Sequence, residues 1–201
     1  MFYLLASRDN SIQIWDLRCS TEAKPENVIR NAHSPRGATN AVCSRRGRRS
    51  HSTPSSPAAA ASRSGVSSSS VTGIKYLQDN MLVSCGDKDG IVKVWDLRRN
   101  YSLYHGEPMP KVRFHSPKLT STQGFTSMAV QCPGEGVTSS VFVNCMDNNI
   151  YQFDLINEDE KPLNTFSGCN NSSFYVKIAL SPNGTYLVCC YINGLITNDE
   201  G

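Results

Sequence analysis

The sequence predicts an all-β protein assembled from repeated antiparallel hairpins, and three observations carry that expectation. First, an eleven-residue string recurs: Arg8-Asp9-Asn10-Ser11-Ile12-Gln13-Ile14-Trp15-Asp16-Leu17-Arg18 returns 80 residues later, without a gap, as Lys88-Asp89-Gly90-Ile91-Val92-Lys93-Val94-Trp95-Asp96-Leu97-Arg98. A weaker copy follows 58 residues further on, Asp147-Asn148-Asn149-Ile150-Tyr151-Gln152-Phe153-Asp154-Leu155, with Phe153 in the place of Trp. Second, each copy opens on a dipeptide suited to a tight hairpin turn (Asp9-Asn10, Asp89-Gly90, Asp147-Asn148) and continues as a β-branched or aromatic run. Third, a helical period of 3.6 is sustained nowhere.

The stretches before the turns are also strand-like: Met81-Leu82-Val83-Ser84-Cys85 and Val141-Phe142-Val143-Asn144-Cys145. A fourth unit begins at Phe174-Tyr175-Val176-Lys177-Ile178-Ala179-Leu180. It turns at Ser181-Pro182-Asn183-Gly184 and resumes at Tyr186-Leu187-Val188-Cys189-Cys190, but residues 191–201 carry no Trp-Asp motif. Between the first two copies lies a segment of another kind. Ser44 to Ser70 holds eleven serines, five arginines and no acidic residue, too little apolar surface to offset its ordering entropy, so a disordered insertion is expected.

Of the 201 residues, 39% are hydrophobic and 18% charged, enough to fold around a core. The net charge of +3 is concentrated in the insertion; the other 174 residues carry 15 basic and 17 acidic groups. That balance argues against a nucleic-acid-binding body. No apolar run reaches membrane-spanning length, and the N-terminus has neither the basic region nor the cleavage site of a secretory signal. The eight cysteines, at 19, 43, 85, 132, 145, 169, 189 and 190, form no C-x-x-C pair and no zinc spacing with the four histidines. They read as small strand residues in a reducing compartment; no metal and no cofactor is expected. No nucleophile elbow, P-loop or H-E-x-x-H motif occurs, and Glu158-Asp159-Glu160 reads as a solvated turn, so no catalytic residue is expected.

The repeated strings resemble WD40 repeats, the four-stranded blades of a β-propeller. At about 40–45 residues per repeat, the chain is expected to hold a propeller fragment of about three blades plus part of a fourth. Residues 1–33 would give the end of one blade and the start of the next, and 34–70 the insertion. Residues 71–101 would complete the second blade, 102–166 form a third, divergent one, and 167–201 a partial fourth with an atypical C-terminus. The resemblance implies a hydrogen-bonded tetrad: His33, Asp89 and Trp95 match three of its positions, while the Ser/Thr position falls on Cys85, and in the first unit on Leu5.

Within that class, Ile14-Trp15-Asp16-Leu17-Arg18, the Ser/Arg-rich insertion and Asp89-Gly90-Ile91-Val92-Lys93-Val94-Trp95-Asp96-Leu97-Arg98-Arg99-Asn100-Tyr101 together resemble the denticleless family. So do Asn144-Cys145-Met146-Asp147-Asn148-Asn149-Ile150-Tyr151 and Asn171-Ser172-Ser173-Phe174-Tyr175-Val176-Lys177. This resemblance implies a non-catalytic substrate receptor of a cullin-4 RING ubiquitin ligase. It would dock on the damaged-DNA-binding adaptor through Trp15, Asp16, Arg18, Trp95, Asp96 and Arg98, and recognise substrates bound to the replication sliding clamp. Arg45, Arg46, Arg48 and Arg49 would act as a nuclear-import signal, placing the protein in the nucleus, with the cytoplasm as a second compartment. The competing reading is a WD40 scaffold of another nuclear or signalling complex. Neither reading calls for direct nucleic-acid or membrane contact.

Overall fold

The repeated Asp-Asn and Asp-Gly dipeptides set the architecture, because each reverses the chain in the same way. In the computed structural model, which describes residues 2–16, 18, 24–34, 69–77, 80–104, 108–117, 124–131, 139–157, 159–171 and 176–190, the second residue of each dipeptide takes positive φ: 66° at Asn10, 60° at Gly90 and 68° at Asn148. The Asp carboxylate then accepts the N–H two residues on, from Ser11 (3.0 Å), Ile91 (3.3 Å) and Asn149 (3.1 Å). A short side chain thus satisfies the backbone where the ladder cannot.

Around these turns the described strands form four antiparallel meanders. The first has three strands: β1 (Phe2–Ala6), β2 (Ile12–Asp16) and β3 (Asn27–Ile29). The second has four: β4 (Val71–Tyr76), β5 (Met81–Gly86), β6 (Ile91–Asp96) and β7 (Val112–His115). The third also has four: β8 (Phe125–Gln131), β9 (Ser140–Cys145), β10 (Asn149–Asp154) and β11 (Asn164–Ser167). The fourth pairs β12 (Ile178–Leu180) with β13 (Leu187–Cys189). In every sheet sequential strands are neighbours. The protein is all-β and its sheets are propeller blades; among the described residues two have four strands, one has three and one has two.

The sheets stack face to face, so the middle strands are buried on both sides and alternate residues serve two different cores. On β5, Leu82 packs toward the first sheet with Ile12, Ile14, Ile29 and Trp95, while Val83 and Cys85 pack toward the third with Val141, Val143 and Phe153. Phe114 and Phe153 meet across that second junction with ring centroids 5.3 Å apart. Ala129, Phe142 and Ile150 face Ile178 across the next. The first strands of successive sheets are stitched together: Val71 N donates to Ser7 O (3.3 Å), Thr72 Oγ1 to Phe125 O (2.6 Å) and Lys177 Nζ to Thr126 O (3.0 Å).

The sheets divide the chain one strand later than the repeat boundaries expected from sequence. The segment after each Trp-Asp strand turns back and pairs with it, so β3 closes the first sheet and β7 the second. Thus 112–115 belongs to the second blade rather than the third, and a boundary at 166/167 would cut β11, which pairs with β10. Of the insertion expected at 34–70, residues 35–68 lie outside the described residues, while Ser69 Oγ and Ser70 N donate to Asp87 Oδ1 (3.0 and 2.7 Å).

Candidate protein-docking rim and the buried tetrad behind it

The second repeat encloses a chain of four polar side chains between its sheet and the first. His33, fully buried, lies in the turn that follows β3, its N–H donating to Asn10 Oδ1 in the first hairpin turn. Its Nδ1 is 2.7 Å from Asp89 Oδ2, and its Nε2 is 2.7 Å from Ser84 Oγ. Trp95 Nε1 donates to the same Ser84 Oγ at 2.8 Å. The roles close consistently: the carboxylate can only accept and the indole N–H can only donate, so Ser84 accepts from Trp95 and passes its own proton to Nε2. Lys93 Nζ stands 3.7 Å from Asp89 Oδ2 and donates to Ala32 O at 2.7 Å, so the buried charges meet partners of opposite sign or polarity.

The structure corrects the fourth member of this tetrad. It is Ser84, not Cys85. The hairpin between Ser84 and its cross-strand partner Lys93 is one residue longer than that between Leu5 and Gln13 in the first sheet. A count carried over from the first repeat therefore lands one residue too far and on the wrong face. Cys85 points into the junction with the third sheet, where burial pushes its thiol up to about 12. Leu5 does hold the matching register in the first sheet. It offers no acceptor, and Trp15 Nε1 is buried there without a hydrogen-bond partner. In the third sheet Val143 and Phe153 take the Ser and Trp positions, and Asp147 accepts the Tyr151 hydroxyl instead. Amides hold the next junction: Asn171 N donates to Asn148 Oδ1 (2.7 Å) as His33 N does to Asn10, and Asn171 Nδ2 donates to Cys145 O (2.7 Å).

At the opposite ends of the same strands lie the residues expected to contact a partner. Trp95 is fully buried, its ring meeting Tyr101 edge-on at 5.5 Å, whereas Trp15 is half-buried. Each Asp of the Trp-Asp pair caps the turn that follows: Asp16 Oδ1 accepts Arg18 N (3.0 Å) and Asp96 Oδ1 accepts Arg98 N (3.0 Å). Asp16 also grips the Arg18 guanidinium, with Nε 2.9 and 3.0 Å from its two oxygens and Nη2 on Oδ2. That pairing holds the Asp16 carboxyl well below the usual range, while the Arg18 side chain remains 72% exposed. The arginine is thus presented to solvent with its guanidinium paired to Asp16.

Asn27 was not singled out by sequence, yet it fixes the second of these turns. Its Nδ2 donates to Arg99 O (2.6 Å), and its Oδ1 accepts from Tyr101 N (2.8 Å) and Ser102 N (3.2 Å) at a short 3-10 turn, Tyr101–Leu103. Ile14, Asn27, Asn80, Leu97, Arg98 and Arg99 line a cleft of about 390 Å³ between the two repeats. Arg45, Arg46, Arg48 and Arg49 lie outside the described residues. Among the described residues no cluster of three or more His, Cys, Asp or Glu side chains could hold a metal, and no helix is long and apolar enough to cross a membrane.

Sheets with this strand order, a Trp-Asp turn at one rim and a His-Asp-Ser-Trp tetrad behind it define a WD40 β-propeller protein. Residues 62–96, which include Ser84, Asp89 and Trp95, match the WD domain, G-beta repeat family. The WD40 β-propeller domain of Doa1 shares the fold, with a TM-score of 0.52 at 12% identity over 94% of this chain and 43% of that one. The chain belongs to the denticleless family of WD-repeat proteins. It is 36% identical over 190 residues to protein lethal(2)denticleless of Drosophila melanogaster, a match covering 92% of this chain and 23% of the relative. It is 38% identical over 187 residues to the denticleless protein homolog of Mus musculus, covering 90% and 24%. The chain thus spans about a quarter of the length of these curated relatives.

Proposed function

We propose that the chain contributes to a substrate-recognition subunit of a cullin-4 RING ubiquitin ligase. Its rim docks on the damaged-DNA-binding adaptor, and the assembled receptor presents replication and cell-cycle proteins held on the sliding clamp for ubiquitin-dependent degradation. The observation that carries this reading is the duplicated Asp-x-Arg turn. At neighbouring blades, an Asp caps the turn and an Arg follows two residues later, with Asp16 orienting the Arg18 fork before any partner arrives. A pre-oriented guanidinium loses less freedom on binding, and Arg suits interface centres because it presents five donors and is weakly hydrated. The receptor itself performs no bond chemistry; its work is to hold two proteins near one another.

Nuclear import through Arg45, Arg46, Arg48 and Arg49 belongs to the same proposal, since the substrates reside on chromatin. The test of docking is binding of the purified adaptor to the full-length protein with and without Arg18→Ala plus Arg98→Ala. Truncating two interface arginines should weaken binding by about 2 kcal/mol or more, against about 0–1 kcal/mol for surface ion pairs alone. Undiminished binding by a folded double mutant would refute the assignment.

A further inference from the structure

The third repeat builds the same rim turn without the arginine. Ile156 N donates to Asp154 Oδ1 at 2.8 Å, repeating the Asp16–Arg18 and Asp96–Arg98 turns, and Ile156 stands at the position those arginines occupy. The equivalence is fixed by register as well as by spacing. Phe153 faces Val141 across the third hairpin as Trp95 faces Leu82 across the second, so the residue three beyond each aromatic emerges at the same rim. The second and third sheets share a core, which makes Ile156 the next element along the arc that begins with Arg18 and Arg98.

What this position offers is apolar. Ile156 is 61% exposed, and Leu163, at the return of the same loop, is 57% exposed while its N–H is tied to Gln152 O at 2.7 Å. Asp154 is buried, its oxygens engaged by Ile156 N and by Asn157 Nδ2 (2.6 Å). Its carboxylate is therefore turned inward, as part of the scaffold. Scattered exposed apolar residues are ordinary, but here the backbone beneath an exposed isoleucine is held by the same Asp-capped turn that presents Arg18 and Arg98.

We propose that Ile156, with Leu163 at the return of the same loop, extends the docking rim over a third blade and packs against an apolar patch of the adaptor surface that receives Arg18 and Arg98. This rests on the docking reading above. An apolar residue next to two arginines along one rim suits an interface patch, where arginine is enriched and the acidic residues are depleted, and a backbone already held by its turn costs little further entropy on binding.

The test is titration of purified adaptor against the full-length protein carrying Ile156→Asp, Ile156→Ser or Ile156→Leu, in parallel with Arg18→Ala plus Arg98→Ala, with thermal melts of each. Ile156→Asp should weaken binding by about tenfold or more, the range of an interface anchor. Ile156→Ser should weaken it less and Ile156→Leu should leave it unchanged, all with unaltered melts. Wild-type binding by Ile156→Asp and Ile156→Ser, together with weakened binding by the arginine pair, would overturn the third contact and leave the docking reading intact. Wild-type binding by every variant would overturn both. If Ile156→Asp melts early, Ile156→Ser decides the matter by the same criterion.

Discussion

Replacing Ser84 by Ala removes one hydroxyl and strands two groups. Trp95 Nε1–H loses its acceptor at 2.8 Å and His33 Nε2 loses its partner at 2.7 Å, both in side chains with no solvent exposure. Neither can turn to water without opening the junction between the first two sheets. Each orphaned buried group costs about 1–3 kcal/mol, and partial relaxation brings the sum to about 2–4 kcal/mol. For a domain of this size that corresponds to roughly 5–15 °C in melting temperature. Leu5→Ala, at the matching register of the first sheet, is the control, because it breaks no hydrogen bond and truncates a side chain already 41% exposed. The assay is thermal and urea unfolding of both variants beside the parent. A Ser84→Ala loss within about 0.5 kcal/mol, the usual range of a surface substitution, would refute the claim that the tetrad holds the junction.

Asn27→Ala should cost about 1–3 kcal/mol, since the buried Tyr101 N–H loses its acceptor while Ser102 N keeps Asn100 Oδ1; it should also weaken adaptor binding by loosening the turn that bears Arg98, both read by melts and titration. Alkaline stability should fall between pH 9 and 12. Burial raises the Cys85 and Cys145 thiols from 9.0 to about 12, so the folded state keeps protons that the unfolded chain releases. That stability is fully present below pH 9 and declines above it by about 1.4 kcal/mol per pH unit per thiol; melts at stepped pH check it, and a flat profile would contradict it. The Asp16–Arg18 pair behaves oppositely: its depressed carboxyl stays ionised as pH falls through about 4, so the fork should open only in stronger acid, as carboxylate infrared bands would report. A fluorescent fusion of residues 40–70 should accumulate in nuclei and lose that localisation when Arg45, Arg46, Arg48 and Arg49 become Ala; even distribution of the unmutated fusion would remove the import signal.

Hairpins were legible in the sequence because their information is local. Asp-Asn and Asp-Gly specify positive φ and an Asx turn within three residues, and all three turns form as that chemistry requires. The tetrad was three-quarters legible. Its missing member turned on one extra residue in a hairpin, which exchanges Ser84 for Cys85 between faces, and a repeat offset is blind to that. The outer strands were harder to place: β3 has three residues with the polar Asn27 at a buried position, and β11 is exposed throughout, so neither shows the apolar alternation that marks a half-buried strand. Asn27 and Asn171 could not be found locally at all. The partners of Asn27 lie more than 70 residues away, and those of Asn171 more than 20, so only the packing of blades brings them together.

Docking of a protein partner on the rim formed by the Asp-x-Arg turns is read by hydrogen–deuterium exchange of the full-length protein with and without purified adaptor. Exchange should slow around Asp16 and Arg18, across 96–104 and across 154–163, with no change at the hairpin turns 87–90 and 146–148 at the other end of the same strands. Protection of those hairpin turns, with the rim exchanging as freely as before, would contradict it.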